Sequence, residues 1–86
     1  MDVVVSIEKY SPPDGVRTAW VDGHQIQVSL DNGDVVIAAN SEGLRTLAAH
    51  MLTLAQDEMP NGNHLHYEPG CGLEDDSKSL VIMRVA

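Results

Sequence analysis

The sequence predicts an α+β domain: one antiparallel sheet of about six strands in the order ββββ-α-ββ, with a single amphipathic helix on one face. Three observations predict it. Short segments alternate apolar and polar residues at the period of a half-buried strand. Asp-Gly and Asn-Gly pairs punctuate those segments where hairpins need positive φ. One longer stretch, starting at Asn40, carries a cap and an apolar stripe at helical spacing.

In the first segment Val3, Val5 and Ile7 alternate with Val4, Ser6 and Glu8. Ser11-Pro12-Pro13-Asp14-Gly15 should end it, since the prolines remove ladder donors and the glycine favours a turn. Residues 16–21 read as a second strand, with Asp22-Gly23 as the hairpin turn. Residues 24–30 read as a third, with Ile26, Val28 and Leu30 on one face and Gln25, Gln27 and Ser29 on the other. Asp31-Asn32-Gly33-Asp34 turns the chain into a fourth strand over 35–38. A meander with one wet face follows from this pattern.

The helix is predicted over 41–57. Asn40 or Ser41 can cap its first N–H groups, and Glu42 lies in the first turn, where the macrodipole favours a carboxylate. Leu44, Leu47, Ala48, Met51, Leu54 and Ala55 form the stripe expected to cover the sheet, while Arg45, Thr46, Ala49, His50, Thr53 and Gln56 occupy the other side. Pro60 is a stop signal. Residues 63–68 form the fifth strand. Residues 78–85 form the sixth, with Leu80, Ile82 and Arg84 opposite Val81, Met83 and Val85; the residues between are expected to be a polar loop.

At 86 residues the chain reads as a single domain, 1–86, with a modest core. Phe is absent, so Val, Ile, Leu, Ala and Met must fill that core. The net charge is −8, from 13 acids against 5 bases. No Lys or Arg occurs between Arg45 and Lys78, whereas Asp57, Glu58, Glu68, Glu74, Asp75 and Asp76 all fall there. Such a field repels nucleic acid and anionic membranes and attracts basic partners. The lone Cys71 has no internal disulfide partner, the N-terminus lacks a signal-peptide pattern, and no run is long enough to span a bilayer. The expected location is cytoplasmic.

His64 and His66, two apart on a strand, project from one face, and Glu68 continues it. With Cys71 or the carboxylates at 74–76 they could hold a metal ion, yet no second His pair or Cys-x-x-Cys completes a site. A solvated His-x-His face is the commoner outcome, so no metal or cofactor is expected. Cys71 lies between two glycines in an acidic setting that disfavours a thiolate, which argues against a nucleophile. No phosphate-binding loop and no basic patch with aromatics is present. Leu73 beside Glu74-Asp75-Asp76 suits a charged protein partner, with the carboxylates speeding encounter and the leucine as anchor, unless Leu73 folds back onto the core. Trp20 is either an interface anchor or a residue packed across strands. A sheet with free edges also makes homodimerisation a natural way to cover them.

Residues 39–85 resemble the Immunity protein 32 family of bacterial polymorphic toxin systems. The resemblance rests on Asn40-Ser41-Glu42-Gly43-Leu44, on Leu47-Ala48 with His50-Met51-Leu52-Thr53-Leu54-Ala55, on Pro60 and Gly62 ahead of His64-Leu65-His66, and on Leu73-Glu74 with Ser77 before the last strand. It implies a small cytoplasmic protein that binds and neutralises a cognate toxin domain, and it implies no catalytic residues. The first half of the chain and Cys71 lie outside the pattern. The resulting expectation is a non-enzymatic immunity protein whose partner-binding residues are His64, His66, Glu68, Leu73, Glu74, Asp75 and Asp76.

Overall fold

A computed structural model describes residues 1–13 and 15–86. Strands β1 (Ile26–Asp31) and β2 (Asp34–Ala39) form a hairpin, followed by helix α1 (Ser41–Leu54). Strands β3 (His64–Pro69), β4 (Gly72–Leu73) and β5 (Leu80–Met83) complete the α+β architecture. The expected single six-stranded sheet is instead two sheets: antiparallel β1-β2, and β4-β3-β5, in which β4 runs parallel and β5 antiparallel to β3.

The break has a local cause. The free edge of β1 is not paired to a strand but is bonded by the 74–78 loop: Glu74 N donates to Ile26 O (2.8 Å), Lys78 N to Val28 O (2.8 Å), and Val28 N to Ser77 Oγ (3.1 Å). A tight turn satisfies the edge that a fully paired sheet would have given to a strand. The core crosses this seam, because Ile26 and Val28 of β1 cluster with Leu47 of α1, Tyr67 of β3 and Leu73 of β4.

The β1–β2 turn is as expected. Asn32 and Gly33 have φ of 51° and 84°, both positive as a two-residue hairpin turn requires. The strands expected at 3–8 and 16–21 are absent. Among the described residues this region contains one isolated bridge, Ser11 to Gly15, at the predicted Pro-Pro turn; Asp14, within that turn, lies outside the described residues. The Asp22-Gly23 turn forms, with His24 N donating to Val21 O (3.1 Å), but does not join two ladder strands. Side chains of the helix and of Gln56 just past its end serve residues 8–21 in place of a ladder. Gln56 Oε1 accepts from Tyr10 N (2.8 Å) and its Nε2 donates to Glu8 O (2.9 Å). Thr46 Oγ1 accepts from Val21 N (3.0 Å), and His50 Nε2 meets Ala19 O (2.8 Å).

This arrangement rotates the helix relative to the expected stripe. The buried residues are Gly43, Thr46, Leu47, His50, Thr53 and Leu54. Leu47 and Leu54 are shared with the expected stripe, whereas Leu44, Ala48, Met51 and Ala55 are exposed. Burying two threonines is tolerable because each hydroxyl donates back to a helix carbonyl, Thr46 to Glu42 O and Thr53 to Ala49 O, both at 2.8 Å.

Asn40 is the N-cap: its Oδ1 accepts from Gly43 N (2.8 Å) and also from Gln25 N (3.0 Å), tying the helix start to the hairpin base. The helix ends three residues before the expected 57. Asp57 and Glu58 would place carboxylates at the negative end of the dipole, and no basic residue lies in the last turn. Arg84 supplies that charge from beyond β5, its Nη1 donating to Leu54 O and Gln56 O, each at 2.9 Å. Arg84→Leu should therefore cost roughly 1–2 kcal/mol and lower the melting temperature by roughly 5–10 °C. A thermal melt indistinguishable from wild type would show that Arg84 does not cap the helix.

β3 is as expected but shifted by one residue. The β5 ladder is shorter than the predicted 78–85, although Gly62 N to Arg84 O (2.9 Å) and Arg84 N to Asn63 O (2.8 Å) extend the pairing past its ends. β4, two residues long, was expected to be loop.

Candidate partner-binding surface

β3 and β5 pair with His64 opposite Met83 and His66 opposite Val81. Leu65, Tyr67, Leu80 and Ile82 face the core, so His64, His66, Glu68, Val81 and Met83 all face outward. The two histidines thus share an exposed face with Glu68. His66 Nε2 lies 3.8 Å from Glu68 Oε1, an exposed pair worth little on its own. His64 Nδ1 sits 3.2 Å from Gly62 O. Among the described residues, no three His, Cys, Asp or Glu side chains gather in a way that could hold a metal ion. Cys71 is exposed.

Leu73 is only 5% exposed and belongs to the core cluster, so of its two expected placements it takes the folded-back one. Its side chain is not offered to solvent; it pins the acidic turn that follows. Ser77 N donates to Glu74 O (3.0 Å), closing a turn whose tip is Asp75-Asp76. Both flanks of that turn are bonded to β1, and buried Ser77 adds a side-chain bond to Val28 N. Gln27, on the outward side of β1, donates to Asp76 Oδ2 at 2.8 Å. Glu74, Asp75 and Asp76 are all exposed. The result is a short acidic projection held by backbone bonds at both ends, with little conformational freedom left to lose on binding.

Behind this surface lies a cluster that the residue pattern did not reveal. His50, expected on the solvent side of the helix, is 1% exposed. Its Nε2 faces a carbonyl, which can only accept, so Nε2 carries the proton and Nδ1 accepts from the Tyr67 hydroxyl (2.8 Å). Trp20 packs edge-on to His50 (4.9 Å between centroids) and Tyr67 (5.8 Å), and lies 4.8 Å from His24. It also lies over Gly72, which has φ +98° and where a Cβ would come within 2.5 Å of the indole ring. Trp20 therefore packs between the N-terminal segment and β4 while 37% of it stays exposed. Burial lowers the His50 pKa from its ordinary 6.5, opposed by the bond to Ala19 and assisted by His24. Burial likewise pushes Tyr67 up to about 12. Both shifts favour the neutral ring.

The family model for Immunity protein 32 matches residues 34–85, which covers β2, α1, the histidine face and the acidic turn. The chain belongs to the Immunity protein 32 family. No curated protein and no solved structure gives a match. The matched span omits the first 33 residues, as the resemblance did, although residues 8–21 complete the packing around the helix of this family member. No helix among the described residues is long and apolar enough to cross a membrane.

Proposed function

We propose that this Immunity protein 32 member binds and neutralises a cognate bacterial toxin domain, without catalysis, and that its acidic projection is the docking element. The observation that carries the reading is the bracing of Glu74, Asp75 and Asp76: three exposed carboxylates on a turn fixed at both ends to β1. A rigid acidic turn steers a basic surface into register and costs little entropy on docking. Glu68, His64 and His66 extend the contact along the outward face of β3, and Val81 and Met83, beside them on β5 and exposed, offer apolar area. Leu73 acts from beneath, holding the turn in place. The site of action is the cytoplasm of the producing cell, where the toxin must be silenced.

Co-expression with the cognate toxin domain tests the reading. Cells should survive with the wild-type protein and die with Glu74, Asp75 and Asp76 all changed to Ala, while the variant keeps its wild-type melting temperature. Full protection by the triple variant would remove the acidic turn from the interface. No protection by the wild-type protein would remove the toxin as its partner.

A further inference from the structure

We infer that β2 is a self-association edge, and that two copies of this chain join β2 to β2 in antiparallel fashion to make a four-stranded sheet. The inference is independent of the toxin-binding reading, which uses other elements.

β2 reads Asp-Val-Val-Ile-Ala-Ala, apolar on both faces, which suits a strand inside a sheet rather than at its rim. Yet β2 is a rim strand, and Val35 remains 64% exposed while Val36 and Ile37 are each 38% exposed. None of the usual protections of an edge is present: the strand has no Lys, no Pro and no bulge in its six-residue register with β1. The direction of its free groups follows from β1. Ile26 O and Val28 O bond away from β2, to Glu74 N and Lys78 N. Their partners Ala39 and Ile37, and by alternation Val35, therefore point their own N–H and C=O away from β1. Among the described residues nothing bonds to these groups across that edge.

Self-complementarity and charge select a second copy as the occupant. A two-fold axis at Ile37 sets Ile37 against itself and Val35 against Ala39, using all three outward-pointing residues of each strand. The only charge on β2, Asp34, then meets Asn40 of the second copy rather than another carboxylate. In a chain of net charge −8, an edge that can meet itself without facing acid on acid is the place for such a contact. Leu30, 63% exposed and opposite Val35 on the same face, adds apolar area on each side of the seam.

The test is light scattering coupled to size exclusion at physiological ionic strength, across a concentration series. The wild-type protein should show twice the mass of one chain. Val35→Lys, at an exposed position, should weaken association about tenfold or more with its circular dichroism unchanged. Should that variant lose its fold, crosslinking decides. In a Cys71→Ser background, Ile37→Cys should form an intermolecular disulfide under mild oxidation, because a directly opposed hydrogen-bonded pair has Cα atoms about 5.5 Å apart. Leu52→Cys on the exposed side of the helix should not. A wild-type monomer at all concentrations, a dimer indifferent to Val35→Lys, or equal crosslinking at both positions would each overturn the inference.

Discussion

Gly43→Ala is expected to lower the melting temperature by roughly 10 °C, a loss of about 2 kcal/mol. Helix propensity alone predicts the opposite, a gain of up to about 1 kcal/mol for removing glycine from a helix. The sign is reversed by space. A Cβ at Gly43 would lie 2.6 Å from Gln25 O, 2.9 Å from Ile26 Cγ1 and 3.0 Å from Ala39 Cβ. Two of these atoms belong to the base of the hairpin and one to the core, so none can step aside as a surface side chain would. The helix start would have to lift, stretching the Asn40 cap that joins it to Gln25. Ala48→Gly, at an exposed helix position, is the control: it should cost about 1 kcal/mol by propensity alone. A Gly43→Ala variant that melts higher than wild type would mean that α1 does not approach the hairpin this closely.

His50→Leu is expected to cost about 3 kcal/mol, roughly 15 °C in melting temperature, because it leaves the Tyr67 hydroxyl and the Ala19 carbonyl without their partner. The double change His50→Leu with Tyr67→Phe should lose less than the two single changes combined, since the hydroxyl that the first leaves stranded is removed by the second. Strict additivity would contradict the bond between them. The same residue sets a pH dependence. In the fold His50 holds its proton less readily than the ordinary 6.5, chiefly through burial. The unfolded chain therefore binds the extra proton first. The stability this group contributes is complete above pH 6.5 and is lost as pH falls below that value toward the lowered folded one. Wild-type protein should melt lower at about pH 5.5 than at about pH 7, and His50→Leu should show a smaller drop. Tyr67 acts at the other end: its share is complete below pH 10 and is lost as pH rises toward about 12.

These two positions also show what the residue pattern could and could not convey. Turn and cap chemistry is local, so Asn32-Gly33 and Asn40 were legible. So was the alternation that sets His64, His66 and Glu68 on one exposed face; in the last strand it separated Leu80 and Ile82 from Val81 and Met83, but with both sides apolar it did not tell which is inward. The buried face of the helix was not. Counting apolar letters selects Leu44, Met51 and Ala55, whereas the fold buries Thr46, His50 and Thr53, whose polar atoms find hydrogen bonds in helix carbonyls or in the backbone of residues 19–21. The same exchange hid the nature of the first segment. Val3, Val5 and Ile7 alternate as in a strand, but the nearby backbone is held by the side chain of Gln56, just past the helix, rather than by a neighbouring strand. Leu73 was open between two placements because one apolar residue beside three acids has no periodicity. Its burial depends on β4 pairing with β3, a contact between residues only four apart in sequence that no pattern announces.

The braced acidic turn, proposed above as the docking element, should act first through long-range charge. Its most direct test is the association rate with the cognate toxin domain, measured by stopped flow as ionic strength is raised. The rate should fall steeply with salt for the wild-type protein, and should be slower and nearly salt-independent once Glu74, Asp75 and Asp76 are Gln, Asn and Asn. A wild-type rate indifferent to salt, or a neutralised turn that associates as fast as the wild type, would contradict it.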